Sequence, residues 1–197
     1  GEYDYLLNSN RQMDLLHKRF IVFELDNISE NRTLLPVVTI IIMETFLAKM
    51  RRLQGVRKVL LLEEAWKAIA KEGMASYVKY LFKTVRKYFG EAIVVTQEVE
   101  DIISSPIVKE SIINNADCKI LLDQRKYRNK FDQIQTLLGL TDKERAQVLS
   151  INLSNDPARR YKEVFISLGG VQSAVYATEV SDEEYLAFTT EQTEKME

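Results

Sequence analysis

The chain has 197 residues, a formal net charge of −2 and 46% hydrophobic residues, which excludes a disordered or fibrous polypeptide and fits one globular domain with its own core. A lone cysteine, Cys118, excludes an internal disulfide, and with a lone histidine, His17, a His/Cys zinc site is excluded as well. The near-neutral balance argues against a wholly basic nucleic-acid-binding surface and leaves room for local basic patches.

The opening residues, from Gly1 onward, are polar and mixed in charge, with no signal-peptide pattern. This points to a cytoplasmic setting, and a start at Gly1 reads as an excised piece of a longer protein. Phe20 to Leu25 reads as a strand. Leu34 to Met50 is the greasiest segment, yet Thr39, Glu44 and Thr45 interrupt it and it is short for a bilayer span. It reads as a buried helix over about 33–52, with Pro36 in the first turn, Lys49, Arg51 and Arg52 in the last, and Gly55 beyond.

Val59 to Leu62 is a short apolar run of the kind that makes a strand buried on both faces. Glu63 and Glu64 stand at its end. Val78, Leu81, Phe82, Val85 and Phe89 recur at three- and four-residue steps, giving an amphipathic helix over 75–88 with Lys79, Lys83, Arg86 and Lys87 on another face. Gly90 stops it, and Ala92 to Thr96 is the next strand. Ser105-Pro106 opens a helix running to about Asn115, and Lys119 to Asp123 is a further strand.

Helices follow around 128–138 and 141–150, the second with Thr141 and Glu144 at capping-box spacing. Glu163 to Leu168 and Ala174 to Thr178 read as a hairpin across residues 169–173, and Ser181 with Glu184 caps a C-terminal helix. Alternating strands and helices predict an α/β fold with a mostly parallel sheet covered on both faces and an antiparallel addition.

Four predicted strand ends then carry polar residues: Glu24/Asp26, Glu63/Glu64, Thr96/Gln97 and Asp123/Gln124. In open α/β sheets, ligands bind in the crevice outside the carboxyl ends of the strands. An acidic pair there fits the second acidic motif of a P-loop NTPase. One carboxylate holds the shell of a Mg²⁺ ion and the next positions or deprotonates the attacking water. The plainer alternative is a surface turn after a core strand. The Gln97 amide both donates and accepts, which suits a γ-phosphate sensor; the plainer alternative is a loop cap. A phosphate-binding loop needs Gly-x-x-x-x-Gly-Lys-Ser/Thr, and no glycine of this chain is followed by lysine. Either the chain is not a P-loop enzyme or the loop lies upstream of Gly1.

Leu-Leu-Leu-Glu-Glu-Ala-Trp (60–66), Lys-Thr-Val-Arg-Lys (83–87), Ile-Val-Val-Thr-Gln-Glu (93–98) and Ile-Ile-Asn-Asn-Ala-Asp-Cys-Lys-Ile-Leu-Leu-Asp-Gln (112–124) together resemble the C-terminal part of TraG-type conjugation ATPases of type IV secretion machines. The resemblance covers essentially all of residues 1–197 as a single domain. It implies the C-terminal portion of a RecA-like P-loop domain lacking the phosphate-loop strand, with a C-terminal hairpin. It further implies ATP and Mg²⁺ as cofactors of the parent, and self-association into a hexamer at the inner face of the bacterial inner membrane. The implied partners are other secretion components and transferred DNA or a relaxase–DNA complex.

By the same resemblance Glu64 matches the catalytic glutamate and Gln97 the γ-phosphate sensor. Glu63 stands where the family usually has the Mg²⁺-associated aspartate, and its longer side chain suits contact through metal-bound water. Arg86 and Lys87 match a basic pair near the nucleotide or a subunit boundary. Arg125, Arg128, Arg159 and Arg160 are candidates for an arginine acting in trans, against the alternative that each is simply solvated. Trp66 reads as core packing beside the site.

The expected activity is therefore that of a motor ATPase in the parent, with this chain alone binding nucleotide poorly and hydrolysing nothing. Loss of the phosphate-loop strand is expected to expose sheet edges or apolar surface. Two other readings compete: a non-catalytic interaction module of the secretion machine, and a DNA-binding domain using the basic helical face.

Overall fold

The computed structural model describes residues 14–63, 72–97, 112–153 and 161–189. Contacts divide the chain into two compact units, residues 1–114 and 115–197.

In the first unit the apolar segment forms α1, Leu34–Arg52. The Asn31 side chain accepts from the backbone N–H groups of Thr33 and Leu34 at 3.0 and 2.9 Å, satisfying donors that the first turn leaves open. Leu35, Thr39, Ile42, Met43, Phe46, Leu47 and Met50 are buried, a stripe at steps of three and four. Thr39 hides its hydroxyl by donating to the Leu35 carbonyl at 2.6 Å. No helix among the described residues is long and apolar enough to cross a membrane.

Strand β1 (Lys58–Glu63), helix α2 (Glu72–Thr84), a 3-10 turn at Val85–Tyr88 and strand β2 (Gly90–Val95) follow. β1 and β2 pair in parallel, in register from Lys58 opposite Gly90 to Glu63 opposite Val95. A helix between the strands is the connection that parallel pairing needs. One face of the pair is covered. Leu60 and Ala92 pack against Met43, Phe46, Leu47, Met50, Leu81 and Val85, while Leu62 and Val94 pack against Val78, Phe82 and Ile112. On the other face Val59, Leu61, Ile93 and Val95 are between 40% and 55% exposed.

The turn into β2 is tightly built. Phe89 adopts a left-handed conformation at φ 56° and ψ 44°. A Cβ on Gly90 would lie 2.8 Å from Val85 Cγ2, so only glycine fits beneath that turn. Lys58 is buried and its Nζ donates to the Tyr88 carbonyl at 2.9 Å, holding the turn against the start of β1.

The second unit holds β3 (Cys118–Leu121), a 3-10 segment at Arg125–Lys130, α3 (Phe131–Leu138), α4 (Asp142–Ser150), β4 (Glu163–Leu168), β5 (Gln172–Ala177) and α5 (Asp182–Phe188). Its sheet has the order β3-β4-β5 and is antiparallel throughout. The Thr141–Glu144 and Ser181–Glu184 capping boxes are both formed, as their spacing predicts.

Four expectations change. Residues 20–25 form no strand: they join no ladder among the described residues, and Phe20 is 85% exposed. An apolar run of strand-forming residues does not make a strand without a ladder to join. Among the described residues the strands are not mostly parallel: β1 and β2 pair in parallel, and β3 joins the hairpin in a second sheet as an antiparallel neighbour. The parallel pair is covered on one face, not two. The hairpin loop is three residues long, because pairing continues to Leu168 opposite Gln172, and both Gly169 and Gly170 take positive φ there. The predicted helix start at Ser105-Pro106 lies outside the described residues, and residues 112–113 are helical.

Candidate functional site

Strand polarity places the candidate residues. β1 ends at Glu63, directly opposite Val95, so Thr96 and Gln97 leave β2 at the same carboxyl end of the parallel pair. Paired strands lie about 4.8 Å apart, which brings Glu63 and the Thr96-Gln97 step to one edge. Alternation along β1 puts Glu63 on the side of Val59 and Leu61, away from the helices, and its side chain is exposed. Gln97 is exposed too, and both Thr96 and Gln97 are engaged in interactions. Glu64, Trp66, Arg159 and Arg160 lie outside the described residues.

Arg86 and Lys87 fall elsewhere. They belong to the 3-10 turn that leads into Gly90, at the amino end of the same two strands. Five residue steps separate Lys58 from Glu63, and at about 3.3 Å per step the two ends stand roughly 16 Å apart. The structure brings Glu63 and Gln97 together and leaves Arg86 and Lys87 at the opposite end.

The remaining polar strand ends resolve differently. Glu24 and Asp26 are not on a strand: the Glu24 carboxylate accepts from the Asp26 backbone N–H at 3.3 Å. Asp123 and Gln124 follow β3, in the second unit. There Arg125 Nε donates to both Asp123 carboxylate oxygens, at 2.9 and 2.8 Å, and its NH2 lies 2.5 Å from Oδ2. Asn152, at φ 59°, exchanges hydrogen bonds with Glu163 at 2.6 and 2.9 Å, and its Nδ2 donates to Asp123 at 3.3 Å. The Arg125 side-chain bond holds the Asp123 carboxyl well below its ordinary value, at about 2, with the Arg125 backbone N–H and Asn152 adding to it and burial opposing. These residues, with Leu122 and Lys162, line an open cleft of ≈ 560 Å³. Gln124 Oε1 is shut off from solvent and accepts no hydrogen bond from the described residues. The Arg125 guanidinium is thus already matched to a carboxylate two residues away. Arg128 is exposed in the 3-10 segment, beside Asp142 and Arg145.

Sequence reasoning missed the Asp123–Asn152–Glu163 network. Only the alternation of Asp123 past a strand and Asn152 in a left-handed turn hints at it, and neither fixes a partner.

Among the described residues no three His, Cys, Asp or Glu side chains gather as a metal cage. A Mg²⁺ ion does not require one: it takes one or two carboxylates and completes its shell with water and substrate phosphates. Glu63 is a hard oxygen donor at an open strand end and fits that partial role. The glycine-and-lysine cradle for phosphates is not in the sequence.

A parallel α/β pair that ends in a carboxylate beside a Thr-Gln step has the layout of the P-loop nucleotide-handling class. The chain belongs to the TraG P-loop domain family, whose family model matches residues 1–197. Among solved structures it is similar to VirB4 of Thermoanaerobacter pseudethanolicus, at 23% sequence identity with a TM-score of 0.59, over 84% of this chain and 43% of that one. At that identity the likeness is one of fold. The chain spans 43% of the length of that VirB4. No curated protein matches.

Proposed function

We propose that this chain carries the acidic and sensor half of the nucleotide site of a type IV secretion motor ATPase in conjugation. The observation that carries the reading is the parallel β1–β2 pair of a TraG P-loop family member, which sets Glu63 and Thr96-Gln97 at one carboxyl end. The exposed apolar face of Val59, Leu61, Ile93 and Val95 supports it, because parallel sheets of α/β nucleotide-binding domains are covered by a layer on both faces.

In this reading the phosphates of ATP and its Mg²⁺ supply the reacting group and the charge neutralisation. Glu63 would hold Mg²⁺ through a water of its shell, Glu64 would take the proton of the attacking water, and Gln97 would sense the γ-phosphate position by donating and accepting at its amide. The parent assembles with copies of itself, as a hexamer, and works with secretion components and the transferred DNA or relaxase–DNA complex at the inner face of the inner membrane. Without a phosphate loop the chain alone holds nucleotide poorly and turns none over, because transition-state stabilisation depends on those phosphate contacts.

The test is ATP turnover with Mg²⁺ by a longer chain carrying a phosphate loop, beside its Glu64→Gln variant and this chain alone. The reading expects turnover in the first, a loss of at least about a hundredfold in the second, and silence in the third. Equal rates with and without the Glu64 carboxylate sink the mechanism and favour the interaction module.

A further inference from the structure

At one edge of the antiparallel sheet β3 ends, β4 begins and β5 ends, and the open cleft of ≈ 560 Å³ lies there. Leu121 stands opposite Phe165, so two steps further on Asp123 comes abreast of Glu163, which pairs on its other side with Ala177. The charges of the cleft are unequally spent. Asp123 is bonded to Arg125 and Asn152, and Glu163 accepts from the Asn152 backbone N–H at 2.6 Å. Lys162 is exposed on the cleft wall and forms no ion pair among the described residues. Beside it Leu122 is 65% exposed.

Helix α5 is rooted at the same edge. Thr178 donates to the Lys162 carbonyl from its N–H at 2.8 Å and from its hydroxyl at 2.7 Å, and α5 begins a few residues later at Asp182. The Ser181 hydroxyl accepts from the Glu184 N–H at 3.2 Å and the Glu184 carboxylate from the Ser181 N–H at 3.1 Å, so the helix start is well made. A helix this short owes its persistence to packing of one face. Yet within α5 only Tyr185 is half-buried, Leu186 and Phe188 are 42% and 83% exposed, and no α5 residue lines the cleft. Glu183 and Leu186 stand three residues apart and so share a face.

We infer that α5 is a strap that closes over this cleft of its own sheet, setting Glu183 on Lys162 and Leu186 with Phe188 against Leu122. The reach fits. The link from Thr178 to Asp182 spans up to about 14 Å when extended, and Leu122, on β3, is two strand spacings from β5, roughly 10 Å. The chemistry fits as well. Closure takes three exposed apolar side chains out of water together and gives the Lys162 ammonium a carboxylate. A preformed helix on a short link loses little further freedom on closing. The closed strap also covers Arg125, so an anionic group from outside reaches that guanidinium only by displacing α5. The inference stands on the second unit alone and does not rest on the nucleotide-site reading.

The test is disulfide trapping in the full 197-residue chain carrying Cys118→Ser, which removes its lone cysteine. Leu122→Cys with Phe188→Cys is the reporting pair, and oxidised glutathione is the oxidant. Val171→Cys with Phe188→Cys is the control pair, because Val171 stands in the hairpin loop at the opposite edge of the sheet. The reporting pair closes an intramolecular disulfide at least about tenfold faster than the control. Glu183→Gln and Lys162→Gln each slow it by about two- to threefold, and the two together slow it no more than either alone. If Phe188→Cys unfolds the chain by circular dichroism, Leu186→Cys takes its place in both pairs with the same pattern expected. A reporting pair no faster than the control overturns the inference. So does a disulfide formed only between two chains, or slowing that adds in full across the two charge variants.

Discussion

The two sheets meet their helices by different means. In residues 1–114 the parallel pair faces its helices mainly with apolar side chains, Leu60, Leu62, Ala92 and Val94 against Met50, Leu81, Val85, Val78 and Phe82, with the Lys58 Nζ bond to the Tyr88 carbonyl added at the start of β1. In residues 115–197 the helix α4 is joined to the antiparallel sheet by polar bonds. The Ser167 hydroxyl on β4 donates to Glu144 Oε1 at 2.7 Å, and Gln147 exchanges bonds with Ser173 on β5, from its Nε2 to the Ser173 carbonyl at 3.3 Å and from the Ser173 hydroxyl to its Oε1 at 2.9 Å. Apolar contact is non-directional and leaves a helix free to slide a little; hydrogen bonds inside a low-dielectric interface fix one arrangement. The first unit thus rests its sheet on its helices largely by apolar contact, and the second fixes helix against sheet by side-chain hydrogen bonds.

Glu144 is the sharpest place to break this contrast. It is only 4% exposed. Burial pushes its carboxyl up, but donations from the Thr141 N–H, the Ser167 hydroxyl and the Thr141 hydroxyl, with Lys119's charge, outweigh that and hold it below its ordinary value. Glu144→Ala strands the Thr141 N–H and the Ser167 hydroxyl together. We expect a loss of about 1–3 kcal/mol in urea unfolding, and less than additive loss when combined with Ser167→Ala. Full additivity would show that the two groups do not act as one staple.

The turn at Phe89 probes the other unit. A bulky residue in the left-handed region costs roughly 1–2 kcal/mol. Phe89→Gly removes that strain from an exposed position, while glycine adds some unfolded-state entropy. The net expectation is a gain of about 0.5–1 kcal/mol in stability, read in urea unfolding. A stability loss would mean that the ring packs in the folded monomer.

How much was legible in advance follows the same divide. Features set by neighbours in sequence were readable: both capping boxes, the helix at Leu34–Arg52 and the parallel strands around Leu60 and Ile93. Features set by distant partners were not. Phe20 to Leu25 has strand chemistry without an edge to join. The Lys119-to-Asp123 run reads as a further strand, but its antiparallel pairing with Glu163–Leu168 leaves no trace in its own residues. For the site, the order of Glu63 and Gln97 along the chain was readable from the sequence. That Arg86 and Lys87 stand at the amino end of the strand after Gly90 follows from chain order alone, and the parallel register with Lys58–Glu63 makes it the amino end of both strands, away from Glu63.

The smallest expected effect concerns Asp123, and its sign can be worked through. Its folded carboxyl, at about 2, lies below the ordinary 3.8 because the charged form is bonded to Arg125 and Asn152. A depressed carboxylate contributes stability that is full above the unfolded value and is lost as pH falls through the folded one. The loss therefore runs from near pH 4 down to near pH 2. Arg125 is half-exposed, so solvent screening keeps the contribution modest. Asp123→Asn removes the titration, and its stability-against-pH curve should be flatter than the wild type across that window while matching it more closely at the acid end. Parallel curves would show that Asp123 keeps the same partners in the unfolded chain. Arg125 two residues away makes that local persistence the one serious rival, and an Asn152→Ala variant separates the two, because Asn152 is close to Asp123 only in the folded second unit.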